Sequence, residues 1–237
     1  RQSCRRYSIR LGEGLEMTLL KTPLALVLGA SLLSGCGSIS ANDATYASLI
    51  GTVKERVKNK RAIRKAGPAR APKRSDFAGV KQPIISAYLE KDDLLLGLIL
   101  NDIKPPVLSW TTIDRVGMTF ADARLIQTRN FRGDLMASSQ TGPLRVGSYP
   151  LERRTLDGEN QQIAQTFTCT MRNEGTETIT VLEIKHKTQK FTEHCQGTKD
   201  TTGSFTNTYW QGGDIVWRGR HFITEDMGYV VVERLVK

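Results

Sequence analysis

The residue with the clearest chemical assignment in this sequence is Cys36, because of the segment that precedes it. Residues 17–36, MTLLKTPLALVLGASLLSGC, place Lys21 before an apolar core at 24–33, and Ser34-Gly35 directly before the thiol. This layout is typical of a bacterial lipoprotein signal, whose cysteine is lipidated and becomes the first residue of the mature chain. The core is about half of the roughly 20 residues that a spanning helix needs, which favours a removed segment. The alternative is an apolar helix with a buried free cysteine.

This signal divides the chain into three predicted parts. Residues 1–16 precede a suitable start at Met17 and are interpreted as upstream sequence, which leaves Cys4 without a role. Gly37, rather than an aspartate, follows the lipidated residue, which favours the outer membrane with the protein facing the periplasm. Acyl chains such as palmitate on one cysteine give stable anchoring only when several are attached. We predict upstream residues and signal peptide at 1–35, a tether, helix and basic linker at 36–75, and a β-rich domain at 76–237.

Two further cysteines, Cys169 and Cys195, form an even pair once Cys36 is used for lipid. In an oxidising compartment such a pair favours a disulfide, and the loop it closes would be worth about 3 kcal/mol. The alternative is two separate buried thiols.

Other chemistry has weak support in the sequence. His194 adjoins Cys195 and His186 lies eight residues before it, but adjacent residues of a strand point to opposite faces, which makes a zinc site poor. No Gly-x-Ser-x-Gly elbow is present. The carboxylates that could serve a glycan hydrolase are Asp214, Glu225 and Asp226, and a turn carboxylate is usually a cap or a solvated charge. We therefore predict no catalytic residue, no metal and no cofactor.

Aromatic residues in the predicted strands have two interpretations. Exposed, they would form a platform for stacking sugars or a partner; buried, they would fill the core, and a β domain of this size favours the core. They are Trp110, Trp210, Trp217 and Tyr209.

The formal charge of +10 is concentrated in one segment. Residues 51–74 carry ten Lys or Arg against Glu55 alone. A basic segment close to a lipidated cysteine would lie against anionic headgroups or an acidic polysaccharide, and nucleic acid is a poor partner outside the cytoplasm. Its central cations are Lys58, Lys60, Arg61, Arg64 and Lys65.

Hydrophobic spacing predicts one amphipathic helix at 45–65, docked on the domain or lying on a membrane surface, and short strands thereafter. Turns are expected at 91–93, 173–175, 212–213 and 226–228, and a long connection between two sheets at 141–159. We therefore predict a mainly β fold, an antiparallel meander forming a sandwich or a partly open barrel. The predicted strands are 84–89, 94–100, 107–112, 118–121, 125–128, 163–171, 178–186, 191–195, 205–211, 214–223 and 229–235.

Several stretches resemble the YjbF/GfcB family of lipoproteins. They are FTNTYWQGGDIVWRGRHFI at 205–223, GYV at 228–230, ERL at 233–235, LLLGL at 94–98, LSWTTID at 108–114 and LIQTRN at 125–130 with Asp134-Leu135. The resemblance implies an outer-membrane lipoprotein of mainly β structure, associated with capsule and exopolysaccharide production and without established catalytic residues. We therefore expect a non-enzymatic protein that supports polysaccharide production or export and contacts secretion proteins or an acidic polysaccharide. The alternatives are a periplasmic carbohydrate-binding module and a glycan-active enzyme.

Overall fold

A computed structural model describes residues 72–156, 161–198 and 201–236. A short 3₁₀ turn, Arg74–Phe77, precedes twelve strands. Cys36, the predicted helix at 45–65 and the five central cations of the basic segment lie outside the described residues. The strands are β1 Ile84–Leu89, β2 Leu94–Lys104, β3 Val107–Thr111, β4 Gly117–Ala121, β5 Arg124–Arg129, β6 Leu135–Ser138, β7 Gly147–Leu156, β8 Gln162–Val181, β9 Ile184–Gly197, β10 Ser204–Gly212, β11 Ile215–Thr224 and β12 Gly228–Val236.

All twelve strands form one antiparallel sheet in which sequence neighbours pair. The order β5-β4-β3-β2-β1-β12-β11-β10-β9-β8-β7-β6 has one non-consecutive pairing, β1 with β12. The two edge strands, β5 and β6, are consecutive and meet through side chains, because Thr128 donates to Asp134 at 2.8 Å and accepts from the Leu135 N–H at 2.9 Å. The sheet is therefore a nearly closed barrel, which confirms the mainly β antiparallel meander and decides against a two-sheet sandwich.

The barrel has two differently built ends. At the end we call the base, the connections around 91–93, 130–134 and 225–227 hold one another: Lys91 donates to the Asp226 carbonyl at 2.8 Å, and Arg132 donates to the same carbonyl at 3.1 Å. At the opposite end, which we call the mouth, lie the connections β2–β3, β4–β5, β6–β7, β8–β9 and β10–β11. An apolar core rich in Leu, Ile and Met fills the interior beside β1–β5, β11 and β12.

Two local predictions were wrong. The expected turn at 173–175 is a bulge inside the 20-residue strand β8, and the chain reverses instead at Leu182-Glu183, where both residues have positive φ, 45° and 66°. A hairpin without glycine or asparagine at those positions carries no turn signal in the sequence. The expected long connection at 141–159 contains the whole of β7, whose alternation of buried and exposed residues places the charged Arg153 on the buried face.

Candidate functional site

A cleft of about 510 Å³ lies at the mouth. Its walls are inward-facing residues of β1, β3, β4, β11 and β12, and its rim is formed by Pro105-Pro106, Asp122, Pro143-Leu144 and Asp214. Alternation along each strand turns every second side chain inward, which is why residues distant in sequence meet here. We call this space the mouth cleft.

Arg234 is the one cation among the described residues that line the mouth cleft. Its guanidinium carbon lies 5.1 Å from the ring centre of Trp110, a cation–π contact, while its Nε is buried without a hydrogen-bond partner in the described part of the chain. Burial lowers the pKa of Arg234 from its ordinary value. Its charge is therefore only partly compensated.

His221 separates the mouth cleft from the interior below it. The ring makes edge contacts with Phe120 and Tyr209, each at 5.4 Å between ring centres, and a Cβ added at Gly219 would collide with its Nε2. Glycine at 219 thus gives the buried imidazole its space. Burial lowers the pKa of His221 to about 4, so the ring is neutral at physiological pH.

Below His221 lies a buried polar cluster centred on the carboxylate of Glu193, which is 3% exposed. Asn207 Nδ2 and Tyr209 OH each donate to Oε2 at 2.7 Å, and Oε1 accepts from Tyr149 OH and from Arg124 Nε at 3.3 Å. Burial opposes ionisation, but these donors and the charge of Arg124 outweigh it and lower the pKa of Glu193. The cluster holds a fully satisfied carboxylate anion.

Two buried arginines carry the opposite charge. Arg124 also donates to the Gly142 carbonyl at 2.7 Å and to Tyr149 OH at 3.1 Å. Arg153, 3% exposed, donates to the carbonyls of Phe222 and Ile223 at 3.0 and 2.7 Å, and burial lowers its pKa to about 10. The Glu193 carboxylate therefore balances one of two buried positive charges.

A second, small cavity adjoins this cluster. Its volume is about 20 Å³, which suits one water molecule. Arg153 and His221 line it, and Nη1 of Arg153 and Nδ1 of His221 have no hydrogen-bond partner among the described residues. A water here could bond to either atom.

The four aromatic residues of the predicted platform differ in exposure: two are buried and two are half-buried. Trp110 and Tyr209 are 3% and 1% exposed, so both side chains lie in the core and not on an exposed platform. Trp210 is half-buried, with Lys190 and Arg218 at 5.5 and 5.7 Å from its ring. Trp217, also half-buried, stacks on His186 at 3.7 Å between ring centres. The four aromatic residues thus do not form one exposed surface.

Cys169 and Cys195 lie directly opposite each other on β8 and β9 and form a disulfide with a Cα–Cα distance of 3.9 Å. Both are fully buried and pack with Leu151, Phe167 and Phe205.

The structure separates the candidate catalytic carboxylates. Asp214 precedes β11 at the mouth, whereas Glu225 and Asp226 follow that strand at the base. A ten-residue strand spans about 33 Å, far beyond the roughly 5–9 Å between the carboxylates of glycosidases. Within the described ranges, no cluster of His, Cys, Asp and Glu could hold a metal ion. No helix in the same ranges has the length and apolar character to cross a membrane.

Sequence reasoning missed the Glu193 cluster, although a signal was present. Phe191, Glu193 and Cys195 alternate along β9, and Leu151, Arg153 and Thr155 alternate along β7. Each charge therefore occupies a position at which strand alternation predicts the inner face. The residues that meet there come from four strands, β5, β7, β9 and β10, and could not be paired by spacing.

Comparison with known proteins adds a family and a fold. A family model described as "Group 4 capsule polysaccharide lipoprotein gfcB, YjbF" matches residues 63–235. The crystal structure of the hypothetical lipoprotein YmcC from Escherichia coli is similar, with a TM-score of 0.63 and 16% identity over 76% of this chain and 95% of that one. No curated protein matches the chain. At this identity the structural likeness supports the fold alone.

Proposed function

The chain belongs to the YjbF family of group 4 capsule polysaccharide lipoproteins, and from that membership we propose that it supports the production or export of an extracellular polysaccharide without catalysing a reaction. The observation that carries the proposal is the family match over residues 63–235. We place the protein at the outer membrane, facing the periplasm and held by acyl chains on Cys36. The signal at residues 17–36 and Gly37 after the lipidated residue support this location.

Two structural features are consistent with this proposal. The buried Cys169–Cys195 disulfide suits an oxidising compartment such as the periplasm. Glu193, the most deeply buried carboxylate of the described residues, accepts four hydrogen bonds and is held ionised, which suits a structural role better than that of a proton donor.

We also propose that the basic segment around Lys58, Lys60, Arg61, Arg64 and Lys65 holds the protein against anionic headgroups, an acidic polysaccharide or a secretion partner. Its charge, ten Lys or Arg against one Glu over residues 51–74, supports this role.

The proposal is tested in the producing organism with a deletion of the gene. We expect surface polysaccharide to fall, and the full chain to restore it while incorporating radiolabelled palmitate. Cys36→Ser should restore neither the label nor the polysaccharide, whereas the matched control Cys4→Ser should behave like the full chain. Normal surface polysaccharide in the deletion strain, or a product without palmitate, contradicts the proposal.

The same strain separates the enzymatic alternative. Asp214→Asn combined with Glu225→Gln removes two of the three candidate carboxylates, one at each end of β11, and should still restore polysaccharide. Loss of complementation by a folded double variant would favour a glycan-active enzyme.

A carbohydrate-binding module is the second candidate, favoured by the half-buried Trp210 and Trp217 on the barrel. Quenching of tryptophan fluorescence by capsule oligosaccharide, abolished in Trp217→Ala and retained in Trp110→Phe, would support it.

A further inference from the structure

We propose that the mouth cleft binds a single-chain amphiphile with an acidic headgroup, of the fatty-acid type, taken from the membrane. The acyl chain would lie along the apolar wall and the headgroup would meet Arg234. This inference goes beyond the function proposed above, and its choice of the membrane as the source rests on the lipid anchor proposed there at Cys36.

The size and lining of the mouth cleft favour an apolar chain. A volume of about 510 Å³ falls within the range of roughly 300–1,000 Å³ for small-molecule sites. Twelve of its eighteen lining residues are apolar, among them Ile85, Leu108, Leu144, Val216 and Val232. Meander barrels of moderate size commonly hold one ligand in such an interior space.

The charge of the mouth cleft favours an acidic headgroup. Within the described residues the Arg234 side chain makes no ion pair and no hydrogen bond, and its Nε is buried without a partner. A buried donor without a partner is costly, and a carboxylate or phosphate oxygen would satisfy it. The two acidic residues of the lining, Asp122 and Asp214, are exposed on the rim, where water solvates them.

The position of the mouth favours the membrane as the source. β1 begins at the mouth, and the Arg74 N–H donates to Glu183 Oε2 of the β8–β9 turn at 3.4 Å, also at the mouth. The chain from the predicted lipid anchor therefore reaches the barrel at the end where the cleft opens.

The same geometry disfavours a sugar in this cleft. Stacking on a sugar needs an open aromatic face, but Trp110 is 3% exposed and Arg234 lies over its ring. Twelve apolar lining residues also offer few partners for hydroxyl groups.

The test uses the full chain with Cys36→Ser, because a chain without attached lipid can be kept free of detergent. Binding of cis-parinaric acid is followed by its fluorescence, and dodecanoate, dodecanol and capsule oligosaccharide are used as competitors. We expect saturable binding, displacement by dodecanoate at concentrations at least about tenfold lower than by dodecanol, and no displacement by oligosaccharide.

Three further variants make the result specific. Arg234→Gln should raise the Kd for cis-parinaric acid about tenfold or more, whereas Arg154→Gln, an exposed arginine on the outer face of β7, should leave it unchanged. Val216→Trp should fill the cleft and abolish binding with an unchanged circular dichroism spectrum. Absence of saturable binding, equal affinity in Arg234→Gln, equal displacement by dodecanol, or displacement by oligosaccharide would overturn the proposal.

Discussion

Glu193→Gln should destabilise the barrel strongly, because among the described residues it removes the one buried negative charge that lies near the buried Arg124 and Arg153. The substitution keeps the shape of the side chain but leaves Arg124 without its ion-pair partner and Arg153 without a nearby negative charge that favours its charged form. It also weakens three hydrogen bonds, because their acceptor no longer carries a charge. These bonds are donated by Tyr149, Asn207 and Tyr209. Removing one member of a buried ion pair typically costs about 3–5 kcal/mol.

For a chain of this size, each kcal/mol shifts the midpoint of thermal unfolding by about 2–4 °C, so the expected decrease is about 6–20 °C. The assay is thermal and urea unfolding, each followed by circular dichroism with the disulfide intact. Glu152→Gln is the matched control, because Glu152 is exposed on the outer face of β7, and its effect should be within about 0.5 kcal/mol.

A double-mutant cycle isolates the pair from the rest of the cluster. Arg124→Met should also be destabilising, and the double variant should be more stable than the sum of the single effects by about 1–3 kcal/mol. A loss below about 1 kcal/mol for Glu193→Gln, or additive effects in the cycle, would refute the view that this carboxylate neutralises buried charge.

Three further predictions concern other parts of the chain. The unfolded chain binds a proton at His221 below pH 6.5, whereas the folded chain does so only below about pH 4. The free energy of unfolding should therefore fall by about 3 kcal/mol as the pH decreases between these values. Urea titrations at several pH values measure this dependence, and His221→Gln should flatten it over the same range. Cys169→Ala with Cys195→Ala should lower the free energy of unfolding by about 3 kcal/mol, and alkylation of either cysteine without reductant, seen as a mass shift, would contradict the bridge. Replacing Lys58, Lys60, Arg61, Arg64 and Lys65 by glutamine should reduce retention on anionic vesicles or acidic glycan in sedimentation assays, and unchanged retention would count against a role for the basic segment.

The β class of this protein follows from local patterns that any single strand displays. The bounds of β1 agree with the predicted strand, and the predicted turns at 91–93, 212–213 and 226–228 separate neighbouring strands, because glycine and acidic residues there permit sharp reversals. The reversal at Leu182-Glu183 uses residues without such a preference, so the sequence contains no turn signal there, and the turn was wrongly predicted at 173–175.

The candidate site is less predictable, because its residues come together only when the sheet curls. Strand alternation could have marked Glu193 and Arg153 as inward charges, but not that Tyr149, Asn207 and Tyr209 would reach the same carboxylate. The mouth cleft is lined by residues as far apart in sequence as Ile85 and Arg234.

The sequence by itself determined the family resemblance, the uneven charge and the antiparallel β character, and it predicts the signal that ends at Cys36, since each of these depends on neighbouring residues. Only the tertiary structure decided that one sheet closes on itself, that Trp110 and Tyr209 face inward, and that Asp214 and Glu225 lie at opposite ends. The physical reason is that closure depends on the pairing of β1 with β12 and on the contact of β5 with β6, and such long-range contacts leave no periodic trace in the chain.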